Sequence, residues 1–435
     1  MQQGRARRVK RRHIFFVAGY HPMRADEHFR VFTRELQRFA SVWSVSVQCE
    51  DTRPIPTPTG ALWHVHTQGQ GWDTDATFEL LAWDDLVRAD MKRPFWSHFA
   101  GSVRALADMF TSGTLKRYFG ASRRYGLFFL FTYLALLIIW ALAAGLGFVV
   151  GHFLAPHLGM APAVLVAVLA GLACGLGLMR WPGRRLRLQQ SLDLAEFSVD
   201  YACNRHPALD ERVRAFGRRI AEVVKQADAE GLDEVIITGH SLGAMHLVSA
   251  VAEALRDDPD FGRHVPVRLL TLGSTTIKFA LHPAGERLRQ AAREVAGASW
   301  IGWLEIQSRD DIVSFYKVNP VTLAPAQIMD QNSVVGDFSA RPLIRHTAIE
   351  DMLTPATYRR FYFDIMRLHC QCFLANDKRS THEFHAYVCG PVRFDQLAAT
   401  TSGLMDFVDE TGALRHSSDD SGQNKGQSTG LLRDE

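Results

Sequence analysis

Residues 125–179 contain no Lys, Arg, Asp or Glu, and this uncharged stretch constrains the fold more than any other feature of the 435-residue chain. It contains two apolar segments, 126–150 and 160–179, joined by the short sequence GHFLAPHLG. A helix of about 20 apolar residues crosses the hydrocarbon core of a bilayer, and both segments are long enough. Two such segments in succession are rare in the core of a soluble protein. We therefore predict a transmembrane helical hairpin within residues 121–187, with a loop at 151–159.

Basic residues flank the predicted hairpin at both outer ends, and its connecting loop contains no Lys or Arg. Cytoplasmic flanks carry an excess of Lys and Arg, so both ends of the hairpin are predicted to be cytoplasmic. The sequence thus predicts a bacterial-type inner (cytoplasmic) membrane protein with two spans, with the lipid bilayer as a partner and the rest of the chain on the cytoplasmic side. Gly147-x-x-x-Gly151 and Gly171-x-x-x-Gly175 offer small faces for close helix contact. The flanking basic residues are Lys116, Arg117, Arg123 and Arg124 before the hairpin and Arg180, Arg184, Arg185 and Arg187 after it.

Predicted strands and helices alternate on both sides of the uncharged stretch. This alternation is typical of an α/β fold with a mainly parallel sheet that helices cover on both faces. Before the hairpin we predict strands at 13–18, 42–48, 62–67 and 78–83 and a helix at 25–40; after it we predict helices at 209–230, 244–255 and 284–296 and strands at 234–238, 267–274 and 300–308.

The predicted organisation is one α/β domain interrupted by the membrane hairpin. Both parts of the domain must lie in one compartment to share a sheet, which an even number of spans allows. The end of the chain is rich in small and polar residues, a composition that predicts disorder. The five segments are a basic N-terminal tail (1–12), the N-terminal part of the domain (13–120), the hairpin (121–187), the C-terminal part (188–410) and a disordered tail (411–435).

The chain begins with a basic stretch followed by the apolar residues 14–20, an order that also occurs in signal peptides. Seven apolar residues are too few, and no small-residue cleavage pattern follows, so a first β-strand is favoured. The basic residues either contact anionic headgroups or form a solvated tail. The net charge of +3 and the lack of a nucleic-acid-binding motif predict no nucleic-acid partner. Six scattered cysteines favour reduced thiols over disulfides.

The sequence VIITGHSLGAM at 235–245 places one serine between two glycines, where a predicted strand becomes a predicted helix. Gly239-His240-Ser241-Leu242-Gly243 resembles the nucleophile elbow of lipase-type members of the α/β-hydrolase superfamily. Over the rest of the chain the resemblance is one of strand order only. It implies that Ser241 is a nucleophile in a strained turn, with Gly239 and Gly243 leaving room for strand and helix to approach. The alternative is a structural turn that contains a serine.

A serine hydroxyl becomes an effective nucleophile when a histidine removes its proton and a carboxylate orients that histidine. In this superfamily the acid follows the serine along the chain and the histidine comes last. Asp310 and Asp311 follow the predicted strand at 300–308, and Asp311-Ile-Val resembles the Asp-x-Val of lipase-like relatives. We therefore prefer Asp311 and keep Asp310 as its alternative. A pair of solvated loop residues is the third interpretation.

Several histidines follow the predicted acid, and His369 is preferred as the base. It lies in YRRFYFDIMRLHCQCFLAND (358–377), in helical register with apolar residues, so it is expected to face inward. An inward histidine also occurs as a core residue without a catalytic role. His246 is excluded because it lies five residues after Ser241, on the helix that follows the elbow. The alternatives are His346, His382 and His385, and His416 falls in the predicted tail.

The resemblance also implies an oxyanion hole made of two backbone N–H groups. One comes from the residue after the nucleophile, Leu242, and the second from the loop after an early strand. HIFFVAGYHP at 13–22 is such a strand, and the N–H of Tyr20 is the candidate. In the competing interpretation Gly19-Tyr20 is only a turn.

A zinc site is a rival interpretation of residues 369–389. Six potential ligands fall within these 21 residues, but Cys-x-Cys replaces the usual Cys-x₂₋₄-Cys spacing, so we predict no metal. The chain has no P-loop and no complete dinucleotide-binding glycine motif, and we predict no cofactor. The potential ligands are His369, Cys370, Cys372, His382, His385 and Cys389.

These features predict a membrane-anchored serine hydrolase, esterase-like or lipase-like, that cleaves lipid-like esters through an acyl-enzyme formed on Ser241. An acyltransferase uses the same covalent intermediate and is an alternative. A catalytically inactive membrane scaffold or binding protein with the same fold is the other.

Overall fold

The chain folds as an α/β protein with one mixed, mostly parallel sheet, flanking helices and two long apolar helices. The computed structural model describes residues 8–181, 183, 188–326, 338 and 341–415. The strands are β1 (Arg11–Val17), β2 (Ser46–Cys49), β3 (Ile55–Thr57), β4 (Gly60–Gly69), β5 (Trp72–Leu81), β6 (Glu234–His240), β7 (Val267–Leu272), β8 (Gly302–Ser308) and β9 (Leu343–Thr347). The helices are α1 (Ala25–Trp43), α2 (Asp84–Met91), α3 (Phe95–Thr111), α4 (Thr114–Ala121), α5 (Arg123–Leu158), α6 (Met160–Arg180), α7 (Leu188–Ala202), α8 (Pro207–Gln226), α9 (Leu242–Asp257), α10 (Thr276–Ala280), α11 (Glu286–Gly297), α12 (Pro355–Phe361), α13 (Ile365–Cys370), α14 (Phe384–Cys389) and α15 (Phe394–Ala399).

The sheet joins strands from both sides of the two long helices. Its order is β2-β4-β5-β1-β6-β7-β8-β9, with β3 beside β4. In this spatial order, all neighbouring strands from β5 through β1 to β9 pair in parallel. The strands β2, β3 and β5 each pair antiparallel with β4. Ile14 of β1 lies between Phe78 of β5 and Ile236 of β6. Residues before and after the long helices therefore form one sheet.

Alternate residues of the central strand point into two separate apolar cores. Ile14 and Phe16 of β1 pack on one face of the sheet, together with α1, α14 and α15. Phe15 and Val17 pack on the opposite face, together with α8, α9 and α11. This two-residue periodicity buries both sides of a strand in a parallel sheet. Helices therefore cover both faces of the sheet, as the sequence predicted.

The helices α5 and α6 are long and apolar enough to cross a membrane. They contain 36 and 21 residues, which give lengths of about 54 and 32 Å at the helical rise per residue. In the most apolar 18-residue window of each, only 22% and 11% of the residues are buried. A core helix of a soluble protein buries far more of its apolar surface. The rest of the protein thus leaves most of these side chains uncovered.

The loop predicted at 151–159 is wrong, because α5 continues through it. The helix runs through Pro156 to Leu158, and the chain reverses at Gly159, whose φ is 79°. Pro156 lies in the last turn, where its missing N–H removes a single helical hydrogen bond. Gly159 combines this positive φ with a ψ of 165°, a conformation that residues with a side chain disfavour, so the helix ends there.

The two long helices meet at their glycines. A Cβ on Gly147 would lie 2.8 Å from the carbonyl oxygen of Ala167, and a Cβ on Gly171 would lie 3.0 Å from that of Ala143. Small residues at these positions let the two backbones approach closely. The small faces expected from the glycine spacing therefore lie at the contact between α5 and α6.

The first turns of α5 pack against the α/β part of the chain. Tyr125 stacks on Phe315, with ring centroids 4.1 Å apart, and Tyr118 of α4 packs edge-on against Tyr125. The Arg124 guanidinium donates a hydrogen bond to the carbonyl oxygen of Arg309. These contacts fix the start of α5 beside the loop that follows β8.

The basic N-terminal tail is shorter than predicted. The strand β1 begins at Arg11, and Arg12 is buried, where it pairs with Glu234 at 3.0 Å and donates to the carbonyl oxygen of Val392 at 3.1 Å. These contacts offset the cost of burying a guanidinium, so Arg12 belongs to the fold and not to a solvated tail. Residues 1–7 lie outside the described part of the chain.

Two further boundaries differ from the sequence prediction. The helix α1 continues to Trp43 and β2 begins at Ser46, because Trp43 extends the buried stripe of the helix and is itself fully buried. The predicted C-terminal tail starts too early, since Val408 and Leu414 form a β-bridge. The rest of that tail, from residue 416, lies outside the described residues.

Candidate active site

Ser241 lies at the junction of β6 and α9, where the backbone is strained. Its φ and ψ are 57° and −118°, values that a residue with a side chain rarely adopts. A Cβ on Gly239 would lie 2.7 Å from the carbonyl carbon of Gly243, and a Cβ on Gly243 would lie 2.0 Å from the carbonyl oxygen of Val17. Only glycine fits at either position without moving the backbone. The two glycines therefore allow the tight turn that presents Ser241.

The structure brings Asp311 and His369 together, although 58 residues separate them. His369 Nδ1 lies 2.7 Å from Asp311 Oδ2, and both side chains are almost completely buried. Ser314 Oγ donates to Oδ2 at 2.6 Å, and the Val313 N–H donates to Oδ1 at 2.8 Å. Burial raises the pKa of Asp311, but His369 and these hydrogen bonds outweigh it, so the pKa lies below its usual value. The carboxylate is therefore ionised and can orient the imidazole.

This contact determines which nitrogen of His369 can act as a base. An ionised Asp311 accepts the proton of Nδ1, which leaves the lone pair on Nε2. Within the described residues, Nε2 is buried and has no hydrogen-bond partner, and Ser241 Oγ makes no hydrogen bond either. Catalytic hydrogen bonds are often long before a substrate binds. The arrangement thus leaves one unpaired acceptor and one unpaired hydroxyl in the same site.

His240 holds the backbone of His369 in place, a role that sequence analysis missed. The two rings lie 4.4 Å apart, and His240 Nε2 lies 3.0 Å from the carbonyl oxygen of His369. Burial and the neighbouring His369 hold the pKa of His240 well below its usual value, so it is neutral. A neutral His240 donates its Nε2 proton to this carbonyl. The second residue of the elbow therefore positions the candidate base.

Two backbone N–H groups lie beside Ser241 without an acceptor. In the described part of the chain, the N–H of Leu242 at the start of α9 and that of Tyr20 after β1 donate to no group. Gly19 brings this loop close, because a Cβ there would lie 3.0 Å from the Cβ of Ser241. The Tyr20 hydroxyl donates to the Asp90 carboxylate, which fixes the side chain. Both N–H groups are therefore candidates for binding a ligand oxygen.

Ser241, Leu242, Tyr20 and His369 line one cavity of about 290 Å³. Most of its remaining wall is apolar and aromatic, and α5 contributes to it. Sequence analysis missed this wall, because aromatic residues at the start of an apolar helix are equally typical of a membrane interface. The lining residues from α5 are Tyr125, Phe128, Phe129, Thr132 and Tyr133.

The alternative acid and the first alternative base lie away from this cavity. Asp310 Oδ2 accepts from the N–H of Ile349 at 2.8 Å, a contact that closes a loop. His346 lies on β9 with its ring 5.0 Å from that of Tyr316. Neither residue lines the cavity that contains Ser241.

The other histidines have separate partners. His382 Nε2 lies 2.7 Å from the carbonyl oxygen of Cys372, and His385 Nδ1 lies 3.3 Å from Glu383. His246 packs edge-on against an aromatic ring in the core. His416 lies outside the described residues. In the part of the chain that the structure describes, no group of three His, Cys, Asp or Glu side chains is arranged to hold a metal ion.

The helical register expected for His369 within 358–377 is interrupted in the structure. The helix α12 ends at Phe361 and α13 begins at Ile365. The Asp364 carboxylate accepts from the N–H of Arg367 at 3.0 Å, so it caps the second helix. This break positions the short helix α13 that carries His369.

A comparison of the chain with protein-family models, curated proteins and solved structures found no match. The function is therefore inferred from the geometry and chemistry of the site itself.

Proposed function

We propose that this protein is a membrane-anchored serine hydrolase of the α/β-hydrolase type that cleaves carboxylic esters through an acyl-enzyme. The observation that carries the proposal is the buried Asp311–His369 pair beside Ser241, the serine of a strained strand-to-helix turn. Each of the three residues has the chemical property that its role in a catalytic triad requires.

In the proposed reaction His369 Nε2 removes the proton of Ser241 Oγ, and the oxygen attacks the ester carbonyl. The N–H groups of Leu242 and Tyr20 donate to the oxygen that becomes negative in the tetrahedral intermediate. Asp311 stabilises the imidazolium, which then protonates the leaving alcohol. In the second half of the reaction His369 removes a proton from water, and the water oxygen attacks the carbonyl of the acyl-enzyme. The bond to Ser241 Oγ then breaks, Oγ regains its proton from His369, and the carboxylic acid product leaves. The reaction needs no atoms beyond the ester, water, the three side chains and the two backbone N–H groups.

The apolar cavity favours lipid-like esters as substrates. In the proposed arrangement α5 and α6 cross the inner membrane. The basic residues at their outer ends support a cytoplasmic location for the α/β part, because cytoplasmic flanks carry an excess of Lys and Arg. The first turns of α5 form part of the cavity wall, so the cavity lies near the level of the headgroups. An ester dissolved in the bilayer then reaches the cavity without passing through bulk water.

The proposal is tested by the hydrolysis of p-nitrophenyl decanoate by the purified full-length protein in detergent micelles. Ser241→Ala should reduce the rate by several orders of magnitude and should leave the circular dichroism spectrum unchanged. Ser249→Ala is the matched control, because Ser249 lies on α9 but outside the cavity, and it should keep the wild-type rate. Equal rates for wild type and Ser241→Ala would contradict the proposal.

A further inference from the structure

Lys278 is a buried lysine in the cavity that the proposed reaction does not use. It lies on α10, its residue is 4% exposed, and it lines the same cavity as Ser241. Its Nζ donates one long hydrogen bond, 3.4 Å to the carbonyl oxygen of Leu194, and lies 5.6 Å from the centroid of the Phe279 ring. Within the described residues no carboxylate pairs with it. An unpaired ammonium in apolar surroundings is costly, so its presence calls for a partner that arrives from outside.

The acidic residues on either side of Leu194 on helix α7 already have partners. Asp193 lies 2.8 Å from His98, and Glu196 pairs with Arg93 at 2.9 Å. Burial lowers the pKa of Lys278 to about 7, so a substantial fraction of the side chain carries a proton near neutral pH. An anion entering the cavity would stabilise the protonated form further.

The helix α10 connects Lys278 closely to the candidate nucleophile. The N–H of Thr275 donates to the carbonyl oxygen of Ser241 at 3.3 Å. Lys278 follows three residues later, about 4.5 Å along the helix axis. The Tyr118 hydroxyl donates to the carbonyl oxygen of Lys278 at 3.1 Å and holds the helix in this position. A ligand with its ester at Ser241 therefore occupies the cavity that Lys278 also lines.

We propose that Lys278 binds an oxyanion, a carboxylate or a phosphate monoester, carried by an amphiphilic ligand whose apolar chain occupies the cavity. That this ligand is also a substrate rests on the proposed function, in which its ester would react with Ser241. It narrows the substrate class from lipid-like esters to anionic ones. The remaining cavity wall is mostly aromatic and aliphatic and suits the chain.

Binding of octyl phosphate to the purified full-length protein in a neutral detergent tests this inference without any turnover. Wild type should bind octyl phosphate at least about tenfold more tightly than octanol, and Lys278→Met should lose this preference. Methionine is apolar and of similar length, and unchanged octanol binding by the variant shows that the cavity is intact. Lys225→Met removes an exposed lysine on α8 and is the matched control, which should bind as wild type does.

Further ligands identify the source of the anion. Octanoate should show the same dependence on Lys278 as octyl phosphate, whereas inorganic phosphate alone should compete weakly, because it lacks the chain. Equal octyl phosphate affinity in wild type and Lys278→Met, or inorganic phosphate competing as well as octyl phosphate, would overturn the inference. If Lys278-dependent binding is found but a fluorophosphonate does not label Ser241, the oxyanion site stands and the proposed function fails.

Discussion

Replacement of Asp311 by asparagine should nearly abolish turnover and keep the fold, because it moves a proton on His369. The Asp311 carboxylate accepts from His369 Nδ1 at 2.7 Å, from Ser314 Oγ at 2.6 Å and from the Val313 N–H at 2.8 Å. An asparagine that keeps the Val313 contact with its oxygen turns its NH₂ group toward Nδ1. The ring proton then moves to Nε2, which can no longer accept the proton of Ser241.

The size of the loss can be estimated from the ion pair. Two unit charges about 4 Å apart at an effective dielectric constant of about 20 attract each other by about 4 kcal/mol. Loss of this attraction to the imidazolium alone slows the reaction by about 10³-fold. The wrong tautomer raises the expected loss to about 10⁴-fold in kcat, the size seen when the acid of a Ser-His-Asp triad is changed to its amide.

Initial rates with p-nitrophenyl decanoate, normalised to folded protein by circular dichroism, measure this loss. Asp310→Asn is the matched control, since the neighbouring carboxylate accepts from the N–H of Ile349 through an oxygen that asparagine retains. It should keep most of the activity. Retention of more than about a tenth of the wild-type kcat by Asp311→Asn, or equal losses in both variants, would refute the reasoning.

Three further predictions concern packing, pH and topology. Gly243→Ala places a Cβ 2.0 Å from the carbonyl oxygen of Val17. This clash should lower the free energy of unfolding by about 2 kcal/mol or more, and the thermal midpoint should fall with it. An unchanged midpoint would contradict the close approach. Burial lowers the pKa of Lys278 from 10.5 to about 7. Between these two pH values the Lys278 side chain is protonated in the unfolded chain but not in the folded chain, so the free energy of unfolding rises with pH. Below about pH 7 the side chain is protonated in both states, and the full cost of burying its charge is present. Lys278→Met should therefore stabilise the protein by up to about 4 kcal/mol at about pH 6 and by much less at about pH 9.5, and equal stabilisation at both would contradict this account. Reporter fusions at Gly113, Gly159 and the C-terminus should report cytoplasm, periplasm and cytoplasm; opposite sides for the first and last would exclude one shared compartment.

The parts of the site that depend on local sequence could be predicted. Gly239 and Gly243 flank Ser241 at a strand-to-helix junction, and the turn itself dictates those residue types. The sheet class followed from the alternation of strands and helices. Asp311 and His369 were chosen by chain order, register and resemblance, and the structure brings these two together. Their catalytic roles stay predictions.

The parts that depend on long-range packing could not be predicted. The cavity wall on α5 depends on long-range contacts, such as the stacking of Tyr125 on Phe315 from the loop after β8. The strand β9 has five residues and includes Arg345 and His346, so it lacks an apolar signal of its own. Lys278 is a single charge in the apolar segment TTIKFAL, a local signal of an unusual lysine. The proposed anion-binding role of Lys278 depends on a cavity that residues far apart in the sequence form together.

The most direct test of the account is to identify the residue that a fluorophosphonate labels. Such probes react with an activated serine and stay attached, so mass spectrometry of the digested full-length protein locates the site. We expect one modified peptide, with the phosphonate on Ser241, and no labelling after heat denaturation or in His369→Ala. Labelling confined to another residue, or a folded wild-type protein that is not labelled, would contradict the assignment of Ser241 as the nucleophile.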